Sequence, residues 1–307
     1  AESAPSVRVM ADLDEAVDGA EVIFLTGSIH KQRTYAMVLA DHLVDGQILC
    51  VTPGRTFAAL ETAWLLGIAG CRAKIEIAEA PLPYWVTRSG ATLHLSTGGG
   101  AARGVLPSNR PSTSARLGSL LPNTDPQIDT MRSSFADASG LVDVPALLLG
   151  GPAVASGGPQ IPMGGVPLEE NDTFRNLIGH DHHDIIAALA DERREVARRF
   201  SVRDLPDTDQ WITSHAGSAT ADGARPVPTR ADAHAALRDG VIGSLVPLTS
   251  AARLSGVPTP STDAMISLAS TFLGADLATA GRTLPAMGID GHDVDAARRA
   301  LERAVGY

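Results

Sequence analysis

Residues 238–291, RDGVIGSLVPLTSAARLSGVPTPSTDAMISLASTFLGADLATAGRTLPAMGIDG, decide the fold of this chain. Apolar residues recur at intervals of three and four between positions 241 and 254, which predicts a helix that buries one face. Gly256 ends that helix, and after the GVPTP elbow Ser261 is placed to cap a second helix that ends at Gly274. The stretch therefore predicts two helices that meet at a sharp corner.

The composition indicates a soluble globular protein. Its 307 residues are 44% hydrophobic and 20% charged, which suffices for two ordinary cores, so we expect two domains. The formal net charge of -10 argues against a nucleic acid or an anionic membrane as partner, because the summed field would repel phosphate. Acidic residues interrupt the densest basic run, and this mixture favours a solvated helix face for its members, Arg193, Arg194, Arg198 and Arg199.

Cysteine usage and the lack of long apolar runs indicate the compartment. Cys50 and Cys71 have apolar neighbours and form no CxxC pair, so we expect buried thiols in a reducing environment. No apolar run approaches the length of about 18 residues that a spanning helix needs. No basic-then-hydrophobic leader opens the sequence. These observations predict a cytoplasmic protein.

Strand-like and helix-like segments alternate in the first part of the chain. Apolar β-type runs at 22–26, 48–52 and 75–78 are separated by helical patterns at 31–43 and 56–68. This order predicts a parallel α/β sheet with right-handed crossovers. A hairpin is expected next, with strands at 83–87 and 92–96.

The second part of the chain reads as helical. Proline, serine and asparagine accumulate from 107 to 129, which indicates a domain connection, and glycine and proline from 150 to 167 indicate a loop. Besides the two opening helices, we expect helices at 133–149, 181–200, 209–215, 229–237 and 294–305. The predicted domains are residues 1–110, an α/β domain, and 111–307, a helical domain.

A glycine-rich phosphate turn is expected of a complete dinucleotide-binding domain and is not recognisable here. Such a domain opens with a strand, a GxGxxG turn and an acidic residue about 20 positions later. Nothing before Val22 fits that description. The glycines at 98–100 follow a strand, but Arg103 stands where the GxGxxG spacing needs its third glycine. This favours a loop, with a phosphate contact as the alternative.

Several motifs resemble the octopine/opine dehydrogenase family. The helix, GVPTP elbow, helix and GRTL segment of residues 238–291 resemble the family's C-terminal domain, and DLDEAVDGAEVIFLT at 12–26 resembles the approach to the fourth strand of its nucleotide domain. The resemblance implies a partial Rossmann-like parallel sheet followed by an all-α domain of opine dehydrogenase type. It also implies an NAD(P)H-dependent enzyme that reductively condenses an amino acid with an α-keto acid, or a related oxidoreductase.

Two strand ends carry the cofactor residues that the resemblance implies. His30 resembles the histidine of a PAxxH turn, and with Thr26 and Gly27 it follows the first strand. A local hydrogen bond at a helix start is the alternative role for His30. The segment TPGRT at 52–56 resembles the family's NPGRT, and its Pro53, Gly54 and Arg55 would face an anion or the nicotinamide ribose, NAD or NADP. A structural turn is the alternative.

The family's acid/base pair is not intact in this sequence. Val144 stands where the resemblance implies a histidine, in the segment that resembles HPALxLL, and valine transfers no proton. Aligned without gaps, the arginine and aspartate positions of the motif that resembles RYLTED hold Ala235 and Gly240. A shift of one residue places His234 and Asp239 at those two positions instead. We therefore predict His234 with Asp239 as the catalytic pair.

His183 is the second catalytic candidate. It belongs to GHDHHD at 179–184, a cluster that also suits a polar helix cap or, with Asp184, a transition metal. A lone histidine tract is weak evidence for metal, and we predict no metal site.

Two functions from different classes remain. One is a divergent dehydrogenase whose phosphate-binding unit is absent from the sequence or supplied by another polypeptide, so that NADH or NADPH binds weakly to the chain alone. The other is a catalytically silent subunit or binding protein on the same scaffold. Either function predicts an open sheet edge that is covered by a second polypeptide or by another copy in a homo-oligomer. Either also predicts small-molecule ligands, namely an amino acid and a keto acid.

Overall fold

The computed structural model describes residues 8–89, 92–97, 101–106, 110–121, 124–127, 129–150, 172–217, 224–290 and 293–303. The glycines at 98–100 and nearly all of the predicted loop at 150–167 lie outside these residues. Seven strands are present in the described parts of the chain. They are β1 (Val22–Leu25), β2 (Ile48–Val51), β3 (Glu76–Glu79), β4 (Tyr84–Ser89), β5 (Thr92–Thr97), β6 (Ala101–Leu106) and β7 (Thr124–Pro126).

The helices of the described residues are α1 (Leu13–Val17), α2 (Ile29–Leu39), α3 (Ala58–Ile68), α4 (Pro111–Leu120), α5 (Thr130–Phe135), α6 (Ser139–Leu149), α7 (His180–Arg199), α8 (Thr208–Ala216), α9 (Arg230–Gly240), α10 (Val246–Ser255), α11 (Pro260–Leu273), α12 (Leu277–Ala280) and α13 (Val294–Arg303). The predicted helices are present, but α4 and α12 were not predicted, and the single helix expected at 133–149 is divided into α5 and α6. In the described residues no single helix is long and apolar enough to span a bilayer; only α11 taken together with Leu277–Met287, at a bend of 107°, reaches the required length and hydropathy.

The main sheet has the order β1-β2-β3-β6-β7. Its first three strands are parallel, as predicted, and the hairpin of β4 and β5 stands apart from it. The sheet then departs from a purely parallel arrangement, because β6 is antiparallel to β3. In the described part of the chain β1 pairs only with β2, so the sheet has the open edge that the sequence predicts, whereas a chain that covers it stays a prediction.

Helices cover both faces of this sheet. Leu39 of α2 and Leu66 of α3 pack on one face, and α4 covers the other with Leu117 against Cys50. Cys50 is buried, as expected, and burial raises the pKa of its thiol to about 12. Cys71 is only half-buried.

The predicted connection at 107–129 is wrong in part, because it contains α4 and β7. Pro111 occupies the first turn of α4, where the missing N–H costs nothing, and the buried Leu117 and Leu121 hold the helix to the sheet. β7 pairs with β6. Sheet pairing thus continues beyond residue 110. The domain boundary at that residue stays a prediction.

The stretch at 238–291 folds as two helices around an elbow. Gly256 and Gly274 end α10 and α11 with φ of +68° and +61°, the left-handed conformation that glycine favours. The predicted helix over 241–254 starts instead with a single π turn, Val241–Leu245, which runs on from α9 into α10.

The predicted cap at Ser261 is wrong. The second helix begins at Pro260 after Thr259, and its first N–H groups are satisfied from outside the helix. Glu192 of α7 accepts from the backbone N–H of Ser261 at 2.7 Å and from that of Thr262 at 2.9 Å. A carboxylate at a helix N-terminus satisfies orphan donors and opposes the positive end of the dipole.

The solvated face predicted for the basic run of α7 is wrong for one member. Arg193 is fully buried, and its guanidinium donates to Ser244 Oγ at 2.9 Å, to Thr56 Oγ1 at 3.1 Å and to the carbonyl oxygen of Ser134 at 3.3 Å. Arg193 therefore joins three separate elements at the base of the helical part.

A second buried arginine links the helical part to the sheet. Arg282 donates from Nε to Glu61 Oε2 of α3 at 2.8 Å and from Nη1 to the carbonyl oxygen of Thr56 at 2.6 Å. Its Nη1 also lies 3.4 Å from the carbonyl oxygen of Gly243 in the π turn. Glu61 is held from the other side by Arg33 of α2, at 2.8 Å.

Candidate functional site

A cavity of about 200 Å³ lies at the carboxyl ends of β2 and β3, between the sheet and the helical part. In an open α/β sheet this is where ligands bind. Its wall contains the charged groups Arg55, Asp137, Asp143, His215 and Arg225, together with Trp85 of β4. A larger cavity of about 540 Å³ behind α3 is lined by apolar residues and Cys71 and offers no acid/base pair. We therefore assign the site to the smaller cavity.

The ends of β1 and β2 are joined by one side chain. Gln32 of α2 is buried, and its Nε2 donates to the carbonyl oxygens of Gly27 at 3.3 Å and Pro53 at 3.2 Å. Its Oε1 has no hydrogen-bond partner among the described residues. Gly27 has φ of +103°, which a side chain would strain. This pair of strand ends fits a flat amide-bearing group, since it offers a buried acceptor and an exposed backbone.

The predicted cofactor residues fall into two groups at these ends. Thr26, Gly27 and His30 follow β1 and are exposed, whereas Gly54 and Arg55 follow β2 and line the cavity. The carbonyl oxygen of His30 accepts from Thr34 Oγ1 at 3.0 Å, a local helix contact. Their roles toward a cofactor stay predictions.

The turn at 52–57, which we call the Arg55 turn, is fixed by its neighbours. The N–H of Gly54 donates to the carbonyl oxygen of Ala80 at 2.6 Å, and a Cβ at Gly54 would lie 2.7 Å from Cβ of Glu79. The N–H of Thr56 donates to Asp137 Oδ2 at 3.1 Å. Phe57 adopts a φ of +62°, which costs a non-glycine residue about 1–2 kcal/mol and persists where surrounding contacts enforce it.

Asp137 remains ionised at the base of this turn. Burial opposes its charge, but the charges of Arg193 and Arg55 and the hydrogen bonds from Ser139 hold the pKa of the carboxyl below its usual value. Ser139 donates to Asp137 Oδ1 from its N–H at 2.9 Å and from Oγ at 2.6 Å. Both oxygens of Asp137 are thus occupied by protein donors.

An acid/base pair lies on the helical wall of the cavity. His215 of α8 donates from Nε2 to Asp143 Oδ1 of α6 at 3.0 Å, and Arg225 donates to the same oxygen at 2.6 Å. Asp143 is buried, which opposes ionisation, yet Arg225 and His215 hold the pKa of its carboxyl well below the usual range. The Arg225 guanidinium in turn lies 3.7 Å from the centre of the Phe174 ring.

Sequence reasoning missed this pair. Asp143 directly precedes Val144, the position where the resemblance implies a histidine, and that adjacency was the available signal. His215 lies 72 residues beyond Asp143 and belongs to no motif. Only the packing of α8 against α6 brings the two together.

Arg55 is a buried cation without hydrogen bonds at two of its nitrogens. It is 8% exposed, and its Nε and Nη1 have no partner among the described residues. Room for its side chain comes from the π turn, because a Cβ at Gly243 would lie 2.8 Å from Cδ of Arg55. π turns inside helices recur at functional sites.

The structure places the predicted catalytic residues apart from one another. The ring of His234 packs edge-on against Phe272 of α11, with centroids 5.6 Å apart. Asp239 is buried, accepts from the N–H of Ile29 at 3.4 Å, and has its pKa raised by burial. His183 Nε2 donates to Asp209 Oδ1 at 2.9 Å on an exposed face. Their catalytic roles stay predictions.

The neighbouring His182 has the cap role that the GHDHHD cluster allowed. Its Nδ1 accepts from the N–H of Gly179 at 3.2 Å, and burial lowers its pKa. Across the described residues no group of three or more histidine, cysteine or acidic side chains is arranged to hold a metal ion.

Comparison with known proteins finds similarity to an opine dehydrogenase in sequence and to several dehydrogenases and reductases in fold. No protein-family model matches the chain. The opine dehydrogenase of Arthrobacter sp. (strain 1C) is 24% identical over 312 residues, a match that covers 95% of this chain and 82% of the relative.

Solved structures give the same answer at the level of fold. An octopine dehydrogenase in complex with NADH and agmatine matches with a TM-score of 0.61 and 18% identity, over 91% of this chain and 77% of that one. A yersinopine dehydrogenase matches with a TM-score of 0.57 and 12% identity, over 92% and 78%. A ketopantoate reductase from Staphylococcus aureus matches with a TM-score of 0.52 and 12% identity, over 85% and 79%. The chain is thus similar in sequence to an opine dehydrogenase and in fold to octopine dehydrogenase, as the motifs imply.

Proposed function

We propose that this protein is an NAD(P)-dependent oxidoreductase that reductively joins an amino acid to an α-keto acid, with His215 as the proton donor. The observation that carries the proposal is the His215–Asp143 pair in the wall of the strand-end cavity. The relation to opine dehydrogenases, among them one solved with NADH, supports the cofactor and the reaction class.

The strand ends of β1 and β2 fit the nicotinamide end of the cofactor. The unpartnered Oε1 of Gln32 suits an amide donor, and the backbone at Gly27 and Pro53 is tied together beside it. When bound, the cofactor would supply a hydride. With a volume of about 200 Å³, the cavity is smaller than the roughly 300–1,000 Å³ typical of ligand pockets, so it suits a small substrate beside the nicotinamide.

His215 is arranged to hold and release a proton. Its Nε2 is engaged by Asp143, which leaves Nδ1 as the ring nitrogen that delivers the proton to the substrate nitrogen. Histidine titrates near neutral pH, where such a reaction operates. Asp143 stays ionised, stabilises the protonated ring and fixes its orientation. We rank His234 and His183 below His215 because their described ring contacts are with Phe272 and Asp209, neither of which lines the cavity.

The test measures oxidation of NADH and NADPH with a panel of α-keto acids and amino acids, first for the natural chain and then for His215→Gln. We expect His215→Gln to lower kcat by about 100-fold or more with a smaller change in KM. His180→Gln is the matched control, because His180 is exposed and remote from the cavity. His234→Gln and His183→Gln are measured in parallel.

The outcomes separate the alternatives. Full activity in His215→Gln together with loss in His234→Gln or His183→Gln would make the proton-donor assignment wrong. If no keto acid and amine pair consumes either nucleotide, whether the chain is assayed alone or in a complex isolated with it, the proposed activity fails and the binding-protein alternative takes its place.

A further inference from the structure

We propose that Arg55 is the residue that binds the carboxylate of the keto-acid substrate, opposite the proton donor. The inference rests on the proposed function, because it assigns a role within the same cavity. It also differs from the role implied by sequence, in which Arg55 faces the cofactor.

Arg55 carries buried donors that have no partner among the described residues. Its side chain is more than nine-tenths buried and lines the cavity, yet Nε and Nη1 lack partners among the described residues. A buried charged donor without a hydrogen-bonding partner is unfavourable, because it has lost its hydration and gained nothing in exchange. A ligand anion removes that cost, and a carboxylate matches the guanidinium fork with two parallel hydrogen bonds.

The acidic neighbours of Arg55 accept hydrogen bonds from other groups. Asp137 and Asp239 are both near enough to interact with its charge. Asp137, however, accepts from Thr56 and Ser139, and the N–H of Ile29 donates to Asp239. Neither carboxylate forms a described ion pair with Arg55, so its hydrogen-bonding fork stays available to a ligand.

The position of Arg55 is fixed by its neighbours. The residues on either side are fixed, Gly54 against Ala80 and Thr56 on Asp137. Its aliphatic stem lies against Gly243, where any larger residue would collide with it. A guanidinium held in this way gives up little conformational entropy on binding, and preorganisation of this kind raises affinity.

The two sides of the cavity carry different charged groups. Arg55 belongs to the sheet part and His215 to the helical part, and both line the same cavity of about 200 Å³. The positive group at the helical wall, Arg225, is already bound to Asp143 and packed on Phe174. Arg55 is thus the arginine of the described cavity wall that forms no ion pair, and the substrate class is a small carboxylate whose reacting carbon lies toward His215.

The test is calorimetric titration with oxamate, a carboxylate isostere of pyruvate, in the presence of saturating NADH. The neutral oxamide serves as the matched ligand. We compare the natural chain with Arg55→Met, which keeps the length and removes the charge, and Arg55→Lys, which keeps the charge and removes the fork. Arg198→Met on an exposed face of α7 is the control for removal of an arginine.

We expect the natural chain and Arg198→Met to bind oxamate and not oxamide. Arg55→Met should lose about 30-fold in oxamate affinity, the equivalent of a charge-assisted hydrogen-bond pair, and Arg55→Lys should fall between. In turnover, KM for the keto acid should rise by a similar factor while the dissociation constant for NADH changes less than about threefold. Thermal unfolding of each variant checks that it is folded, and Arg55→Lys keeps the test informative if Arg55→Met does not fold.

Three results would overturn the inference: equal oxamate affinity in the natural chain and Arg55→Met, no oxamate binding by the natural chain, or a loss confined to NADH or NADPH, which would assign Arg55 to the cofactor. The inference and the proposed function fail separately. Arg55-dependent binding of oxamate without turnover leaves the carboxylate site standing, and turnover with an unchanged keto-acid KM in Arg55→Met leaves the function standing.

Discussion

Gly243 lies so close to Ile29 that a Cβ on Gly243 would come within 2.1 Å of Cδ1 of Ile29. The contact joins the π turn of the helical part to the first turn of α2 at the end of β1. The same Cβ would meet Cδ of Arg55 at 2.8 Å. One missing side chain therefore permits both the docking of α2 and the position of the cavity arginine.

Gly243→Ala should accordingly destabilise the protein by about 1–3 kcal/mol, because the added methyl overpacks a rigid contact. Adding Ile29→Val, which removes Cδ1, should recover part of that loss, and the coupling is measured by urea unfolding of the two single variants and the double variant. The matched control is Gly67→Ala in α3, where a Cβ meets nothing within 4 Å and the substitution should stabilise. A Gly243→Ala protein as stable as the natural chain would contradict the packing argument.

Asp143→Asn should destabilise the protein at neutral pH by about 3 kcal/mol, because Arg225 and His215 lose a buried counter-charge. The folded-state pKa of Asp143 is depressed, so its contribution is present above the unfolded carboxyl value of about 3.9 and is lost as the pH falls below it. The stability difference between the natural chain and the variant should therefore be largest near pH 7 and shrink in acid.

Urea unfolding between pH 7 and the acid limit of folding measures this difference. Asp184→Asn, on an exposed face of α7, is the control and should change stability little at any pH. A gap between the natural chain and Asp143→Asn that stays constant down to the lowest pH would show that the carboxyl is not held ionised.

Arg193→Met should be among the most damaging arginine substitutions in the chain. It leaves the half-buried Asp137 without its main counter-charge and frees the buried acceptors at Thr56 and Ser244, at a cost of roughly 3–5 kcal/mol. Arg198→Met, one turn further along α7 and exposed, should cost less than about 1 kcal/mol. Thermal or urea unfolding compares the two, and similar stability in both would mean that Arg193 is dispensable.

Local signals predicted most of the fold. Apolar runs gave β1 to β3, and glycines at 256 and 274 gave the ends of two helices, because strand burial and left-handed caps depend on residues close in sequence. The cap of α11 was not predictable in this way, since Glu192 supplies it from another helix. Helix α4 was missed because its proline and serines suggested a linker, whereas Leu117 and Leu121 bury it on the sheet.

The candidate site was predictable only in part. The strand end at Pro53, Gly54 and Arg55 follows from the motif and from the rule that ligands bind at strand ends. His215 and the burial of Arg193 depend on contacts between residues far apart in the chain. A charge pattern along one helix does not reveal which arginine points inward, and a histidine outside any motif gives no sign of its partner.

Arg282 links the sheet and the helical part through its buried guanidinium. Its guanidinium contacts α3, the Arg55 turn and the π turn at once, so parting the sheet from the helical part would deprive a buried charge of two acceptors, Glu61 and the carbonyl oxygen of Thr56, and leave it only the contact with Gly243. We therefore expect the two parts to unfold as one unit, and the cavity to open through local rearrangement of its rim.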